Sequence, residues 1–197
     1  MISSTLKPAV TRFITPMART LLRVGLTPDG ITILGALGVV LSSLAFFPRG
    51  DFFLASFLVT LFALSDLFDG TMARISQSGS SRWGAFLDST IDRISDSVIL
   101  VGVCIYLLNS NDRLAVVALI TLVTGILIPY IRAKAEAFNI VCSGGAAERT
   151  ERLAITLSAT ALHGLGVSFA LAVGLWLLAI LGIITVTQRM LIVKRAI

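Results

Sequence analysis

The chain is predicted to be an all-α integral membrane protein, with six transmembrane helices preceded by an amphipathic juxtamembrane helix. Composition predicts this first: 56% of the 197 residues are hydrophobic, only 14% are charged, and the mean hydropathy is +0.94. A soluble domain carries about a quarter charged residues. The second observation is that the apolar residues fall in runs near the roughly 20 residues needed to cross a bilayer. The third is that the positive charges divide unequally between the ends of those runs. One membrane domain accounts for residues 25–197, after a basic amphipathic segment at residues 1–24. Cys104 and Cys142 have no metal-ligand spacing and read as packed thiols.

In the first segment Lys7, Arg12, Arg19 and Arg23 alternate with Val10, Phe13, Ile14, Met17, Leu21 and Leu22. Such a stretch is too polar to span and lies along the membrane surface. It also lacks the long apolar core of a cleavable signal. Pro8 starts one helical piece and Pro16 breaks it. Two roles stay open for it, an anchor on anionic lipid or a part in the active site. Thr27 or Asp29 caps the first span, residues 31–47, which stops at Pro48-Arg49-Gly50-Asp51. The second span, residues 52–68, runs directly into a pair of aspartates, and the third covers residues 85–108. Residues 114–131, 153–165 and 167–190 form the remaining three, the fifth being short.

With six spans, 14 of the 16 Lys and Arg residues fall on the side of the two termini, and only Arg49 and Arg113 on the other. The positive-inside rule then places both termini in the cytoplasm. His163 falls near the outer end of the fifth span and reads as a loop or interfacial residue; Trp83 and Trp176 read as interfacial or packing residues.

Four carboxylates stand out against this apolar background. Asp66 and Asp69 are three residues apart, Asp88 and Asp92 four apart, and each spacing brings its pair onto one helix face. An ionised Asp near mid-membrane costs about 2.5–3.5 kcal/mol on insertion scales. Clustered carboxylates also repel one another unless cations intervene. Two helices that each offer such a pair can meet around hard cations. Two cations about 3.5–4 Å apart would clamp a phosphoryl group. Asp96 extends the row by a turn but has no counterpart on the second span, so it reads as structural.

Gly70 and Ala73 leave bare backbone beside Asp69, room for a flat base or ribose or for close helix packing. Arg74 is placed to fork onto a phosphate. The polar stretch from Ser76 to Arg82 either supplies donors around a diphosphate or simply connects two helices.

Asp66-x2-Asp69-Gly70-x2-Ala73-Arg74-x9-Gly84-x3-Asp88-x3-Asp92 resembles the signature of the CDP-alcohol phosphotransferases, with all eight positions matched across 27 residues. The resemblance implies a six-span, homodimeric enzyme of the bacterial cell membrane, dependent on two Mg2+ or Mn2+ ions, that displaces CMP from a CDP-linked donor. It implies that Asp66, Asp69, Asp88 and Asp92 bind the metals and that Asp92 is also the general base. It implies further that CDP-diacylglycerol contacts Asp29, Gly30, Ile31, Thr32, Asp66, Asp69, Gly70, Ala73, Arg74 and Ser81. Asp29 stands where much of the wider family has Asn.

Arg132 and Lys134 end the fourth span, Arg152 opens the fifth and Arg189 closes the sixth. Taken singly, each is read as a snorkelling side chain or a lipid-headgroup contact. Several on one side suggest a pocket for a dianionic phosphate, hence a phosphorylated polyol as acceptor. Glu148-Arg149-Thr150-Glu151-Arg152-Leu153 and the stretch from Tyr130 to Ala137 resemble one branch of the family, the actinobacterial phosphatidylinositol-phosphate synthases. That implies inositol phosphate (1D-myo-inositol 3-phosphate) as acceptor, held by Arg132, Lys134, Arg152 and Arg189. Glycerol 3-phosphate is the alternative acceptor. A divalent-cation transporter is the alternative of another class, since intramembrane acids often line ion paths. Membrane lipids are expected partners, and nucleic acid is not.

Overall fold

The computed structural model describes residues 14–75 and 81–197, all of them helical or in connecting turns. Lys7, Pro8, Val10, Arg12, Phe13 and residues 76–80 of the polar stretch lie outside the described residues. The helices are α1 (residues 14–23), α2 (Pro28–Phe46), α3 (Phe52–Ala63), α4 (Ser65–Ile75), α5 (Arg82–Asn109), α6 (Leu114–Glu136), α7 (Arg149–Gly164) and α8 (Ala170–Ala196).

Four stretches are long and apolar enough to cross a membrane: Pro28–Arg49, Phe52–Ile75, Leu114–Glu136 and Ala170–Ala196. The protein is therefore an all-α, multi-span membrane protein. α5 has 28 residues, but its first 15 carry five charged side chains, Arg82, Asp88, Asp92, Arg93 and Asp96. α7 has only 16 residues, about 24 Å at 1.5 Å per residue.

The described residues fall into two compact units. The first holds residues up to Leu41 together with Leu58–Ser95. Its core is Ile14, Ala18 and Met72, with Leu21, Leu22, Leu26, Ile31 and Phe68 packed against them. The apolar stripe of α1 thus seats on α4, the helix with the first two aspartates, while Arg19 and Arg23 stay exposed. Pro16 lies in the first described turn of helical residues 14–23; the turn before it, where the expected break would fall, lies outside the described residues. α1 ends at Gly25 (φ +89°), where Gly25 N–H reaches Leu22 O and Leu26 N–H reaches Leu21 O, a Schellman closure. Thr27, rather than Asp29, then caps α2 by accepting from Gly30 N–H at 3.1 Å, with Pro28 in the first helical position. The second span is not continuous: Leu64 is a turn residue between α3 and α4. Gly35 and Gly38 sit against Ser65 and Phe62, where a Cβ on either would overlap the facing side chain.

The second unit holds Ser42–Phe57 and Asp96–Ile197. Here α6 and α7 both pack on α8, with small residues at the contacts. A Cβ at Gly182 would overlap Thr124, and one at Gly174 would overlap Ala159. Close approach of this kind is what membrane helices use in place of a hydrophobic drive. An aromatic cluster centres on Phe52, whose ring meets Tyr106 edge-on at 4.7 Å and His163 at 4.9 Å. His163 therefore belongs to the last turn of α7 instead of a loop, as its ring has a core partner there. Cys104 and Cys142 are buried thiols. Asp96 pairs with Arg149 at 3.2 Å, the structural role its isolated position implied.

Gly164 faces the backbone of Phe52 and Phe53, where a Cβ would lie 3.0 Å from Phe53 Cα. Main chain cannot swing aside as a side chain can. Gly164→Ala is expected to destabilise the protein by about 1–3 kcal/mol, read as a lowered thermal midpoint in detergent micelles; an unchanged midpoint would contradict this packing.

Candidate active site

The acidic residues of the first unit are positioned by two helices. α4 presents Asp66 and Asp69 from successive positions on its face, and α5 presents Asp88 and Asp92 one turn apart. Ser81 starts α5 by accepting from Gly84 N–H at 2.8 Å. Asp69 is buried, Asp66 and Asp92 are partly buried, and Asp88 is exposed. The carboxylate of Asp69 lies within electrostatic reach of Asp66 on its own helix and of Asp88 on α5. Among the described residues no three acidic, His or Cys side chains enclose a single point as they stand.

Asp69 is held from α2. Thr32 Oγ1 donates to Asp69 Oδ2 at 2.5 Å across 37 residues of sequence, and both side chains are buried. Thr32 also reaches Pro28 O at 3.1 Å. Sequence reasoning placed Thr32 in the site but not on a carboxylate; nothing local links positions so far apart. Asp92 lies 3.5 Å from Arg93, whose Nη1 donates to Ser89 O at 2.7 Å.

The residues expected at the donor sit around this cluster in the same unit. Arg74 donates Nε to Gly70 O at 2.8 Å, so its guanidinium lies back along the side-chain-free strip at Gly70. A Cβ at Gly70 would meet only Arg74 Nη2, at 4.0 Å. Ala73 is partly buried beside it. At the start of α2 the Gly30 amide is used by Thr27, and Ile31 packs into the core beneath α1. Asp29 turns toward the first turn of α5, since a Cβ on Gly84 would come 3.1 Å from Asp29 Oδ1 and equally close to Ser81 Oγ. A largely apolar cavity of about 480 Å³ adjoins α4, lined by Met17, Leu21, Leu34, Phe62, Ser65 and Phe68 among others.

The four cations expected at the acceptor all belong to the second unit. Arg132 pairs with Glu136 at 2.9 Å, and Lys134 Nζ lies 5.4 Å from the centre of the Phe138 ring. Arg152 sits partly buried in the first turn of α7. Arg189 is buried, with Nη1 donating to Ile128 O at 2.6 Å and Nε to Gly144 O at 3.1 Å. Arg132 and Glu148 lie within electrostatic reach of Arg189. Two donors of the Arg189 guanidinium are thus committed to main chain, a structural duty the sequence did not reveal.

Carboxylate oxygens offered from α4 and α5, beside a bare helix strip and an arginine, are the groups that metal-assisted phosphoryl chemistry uses. The model of the CDP-alcohol phosphatidyltransferase family matches residues 25–192, and the chain belongs to that family. It is 41% identical over 195 residues to the phosphatidylinositol phosphate synthase of Streptomyces avermitilis, covering 94% of this chain and 79% of that protein. It is 45% identical over 194 residues to the phosphatidylinositol phosphate synthase of Mycobacterium tuberculosis, covering 93% of this chain and 87% of that one. A crystal structure of the Mycobacterium tuberculosis enzyme with CDP-DAG bound matches with a TM-score of 0.88 at 44% identity, over 92% of this chain and 94% of that chain. A second, with manganese and citrate, gives 0.86 at 43% identity, over 92% and 88%.

Asp29 faces Gly84 where α2 and α5 begin. Ser81→Ala removes the α5 cap at that contact. It is expected to cost about 0.5–2 kcal/mol and to speed amide exchange over residues 82–85; unchanged exchange there would contradict the cap.

Proposed function

We propose that this bacterial multi-pass membrane protein is a phosphatidylinositol-phosphate synthase. It transfers the phosphatidyl group of CDP-diacylglycerol to a hydroxyl of inositol phosphate and releases CMP. One observation carries the reading. The eight signature residues of residues 66–92 are intact, and their acidic members Asp66, Asp69 and Asp88 converge in one compact unit. Relatives at 41% and 45% identity bear the name of that activity. Membership in a transferase family removes the cation-transporter alternative.

Asp66, Asp69, Asp88 and Asp92 would hold two divalent ions, Mg2+ or Mn2+. Their hard carboxylate oxygens suit such ions, and the charge crowding around buried Asp69 calls for a cation. When bound, the ions supply Lewis-acid neutralisation of the diphosphate.

The protein's own groups do the rest. Arg74 lies along Gly70 and turns its guanidinium to the diphosphate, while the strip at Gly70 and Ala73 admits the cytidine. Asp29, Gly30, Ile31, Thr32 and Ser81 border the donor, and the apolar cavity beside α4 takes an acyl chain. The Asp92 carboxylate accepts the proton of the acceptor hydroxyl. That oxygen forms a bond to the β-phosphorus as the bond to the CMP oxygen breaks and CMP takes the electron pair. Arg132, Lys134, Arg152 and Arg189 bind the acceptor phosphate. The protein acts as a homodimer in a lipid bilayer, with six spans, an amphipathic juxtamembrane helix, and both termini and the active site at the cytoplasmic face. The distribution of Lys and Arg supports that orientation.

Asp92→Asn should lower kcat by about 100-fold or more with CDP-diacylglycerol affinity retained, measured by CMP release and by calorimetry; near-normal turnover would remove Asp92 as the base. Thr32→Val, which takes the hydrogen bond from Asp69, should weaken Mn2+ binding about 10-fold or more as read by paramagnetic resonance, with Thr32→Ser restoring it. CMP release should depend on inositol phosphate. Release with glycerol 3-phosphate alone would reassign the acceptor and make the chain a phosphatidylglycerophosphate synthase.

A further inference from the structure

In the second unit, the connection from α6 to α7 is tied to α8 by two side chains one helical turn apart. Thr185 is completely buried. Its Oγ1 accepts from Ala146 N–H at 3.1 Å and Ala147 N–H at 3.4 Å, and donates to Leu181 O at 2.8 Å. A hydroxyl has one proton and two lone pairs, so this one is fully used. Its methyl group closes on Gly145 (φ +145°), where any Cβ would overlap Thr185 Cγ2. One turn further along α8, Arg189 binds Gly144 O, at a second glycine with φ +88°.

The order along the chain matters. α8 grips the Gly144 carbonyl and then the Ala146 and Ala147 amides, and the next residue, Glu148, is the N-cap of α7. Glu148 and Glu151 form a reciprocal capping box, with Glu148 N–H on Glu151 Oε2 at 2.9 Å. That first turn carries Arg149, which pairs with Asp96, and Arg152. A residue that fixes Ala146 and Ala147 therefore fixes where the first turn of α7 begins.

We infer that Thr185 is a positioning residue for acceptor recognition: its hydroxyl sets the register of residues 144–148 and, through them, the place of Arg152. The inference rests on the reading of Arg152 as a ligand of the acceptor phosphate. Thr185 touches neither substrate and acts through the loop. Removing the hydroxyl takes the acceptor from two amides at once, one of them on the buried Ala147, while a valine keeps the methyl packing on Gly145.

The test uses the full chain in nanodiscs, with Thr185→Val and Thr185→Ser beside wild type. Thr185→Val should raise KM for inositol phosphate about tenfold, the scale of one lost hydrogen bond, and leave kcat and KM for CDP-diacylglycerol within about twofold. Thr185→Ser should stay near wild type. Amide exchange over residues 144–150 should quicken in the valine variant alone, whichever acceptor the enzyme uses. Unchanged exchange in Thr185→Val, a fall in kcat with KM untouched, or a serine variant as impaired as valine would each overturn the inference. Should the valine variant not fold, wild type decides: saturating inositol phosphate should slow exchange at residues 146–152, and no slowing overturns it. Failure of the underlying reading looks different. Wild type would then be inactive with inositol phosphate, and the KM comparison would be made with glycerol 3-phosphate.

Discussion

Negative charge crowded into an apolar helix pair is the constraint around which the first unit is built. Asp69 is buried and feels Asp66 on its own helix and Asp88 on the next. Burial keeps water from Asp69, so the repulsion is relieved only on the side of the more exposed Asp66 and Asp88. The unit spends specific features on keeping the carboxylates there. Thr32 reaches across from α2 to hold Asp69, α1 seats on Met72 and Phe68 of the same helix, and Gly35 and Gly38 let α2 come close. A protein that needed only a packed helix pair would be more stable with apolar residues at these positions. All four acids lie within the residues that the CDP-alcohol phosphatidyltransferase model matches.

The second unit solves a different problem, the placement of cations. Arg189 is buried because it binds carbonyl oxygens of Ile128 and Gly144, and Arg149 is half-covered against Asp96. Main-chain carbonyls are suitable partners for a buried guanidinium, since its planar fork offers five donors in fixed directions. The glycines at Gly144 and Gly145 have backbone angles that other residues adopt only with strain.

What could be read from the sequence was whatever follows from a period or a local cap. The paired aspartates were legible because spacings of three and four put side chains on one helix face, and Gly25-Leu26-Thr27-Pro28 announced a helix end followed by a helix start. Asp96 was legible as structural because nothing stood opposite it. The turn at Leu64 was not legible: it lies inside an apolar run without proline or glycine to mark it. Thr32 on Asp69, and Thr185 on Ala146 and Ala147, join positions 37, 39 and 38 residues apart, and no local pattern records such pairs. A threonine four residues before Arg189, together with consecutive glycines ahead of α7, was the trace available, too common in membrane helices to single out.

The central claim is that the converging carboxylates of α4 and α5 form one divalent-cation site. Counting Mn2+ bound per chain by paramagnetic resonance, without either substrate, tests it most directly. The account predicts saturable binding that is lost when Asp66 and Asp88 are both changed to Asn in protein that stays folded. Equal binding by that double variant and the wild type would contradict it.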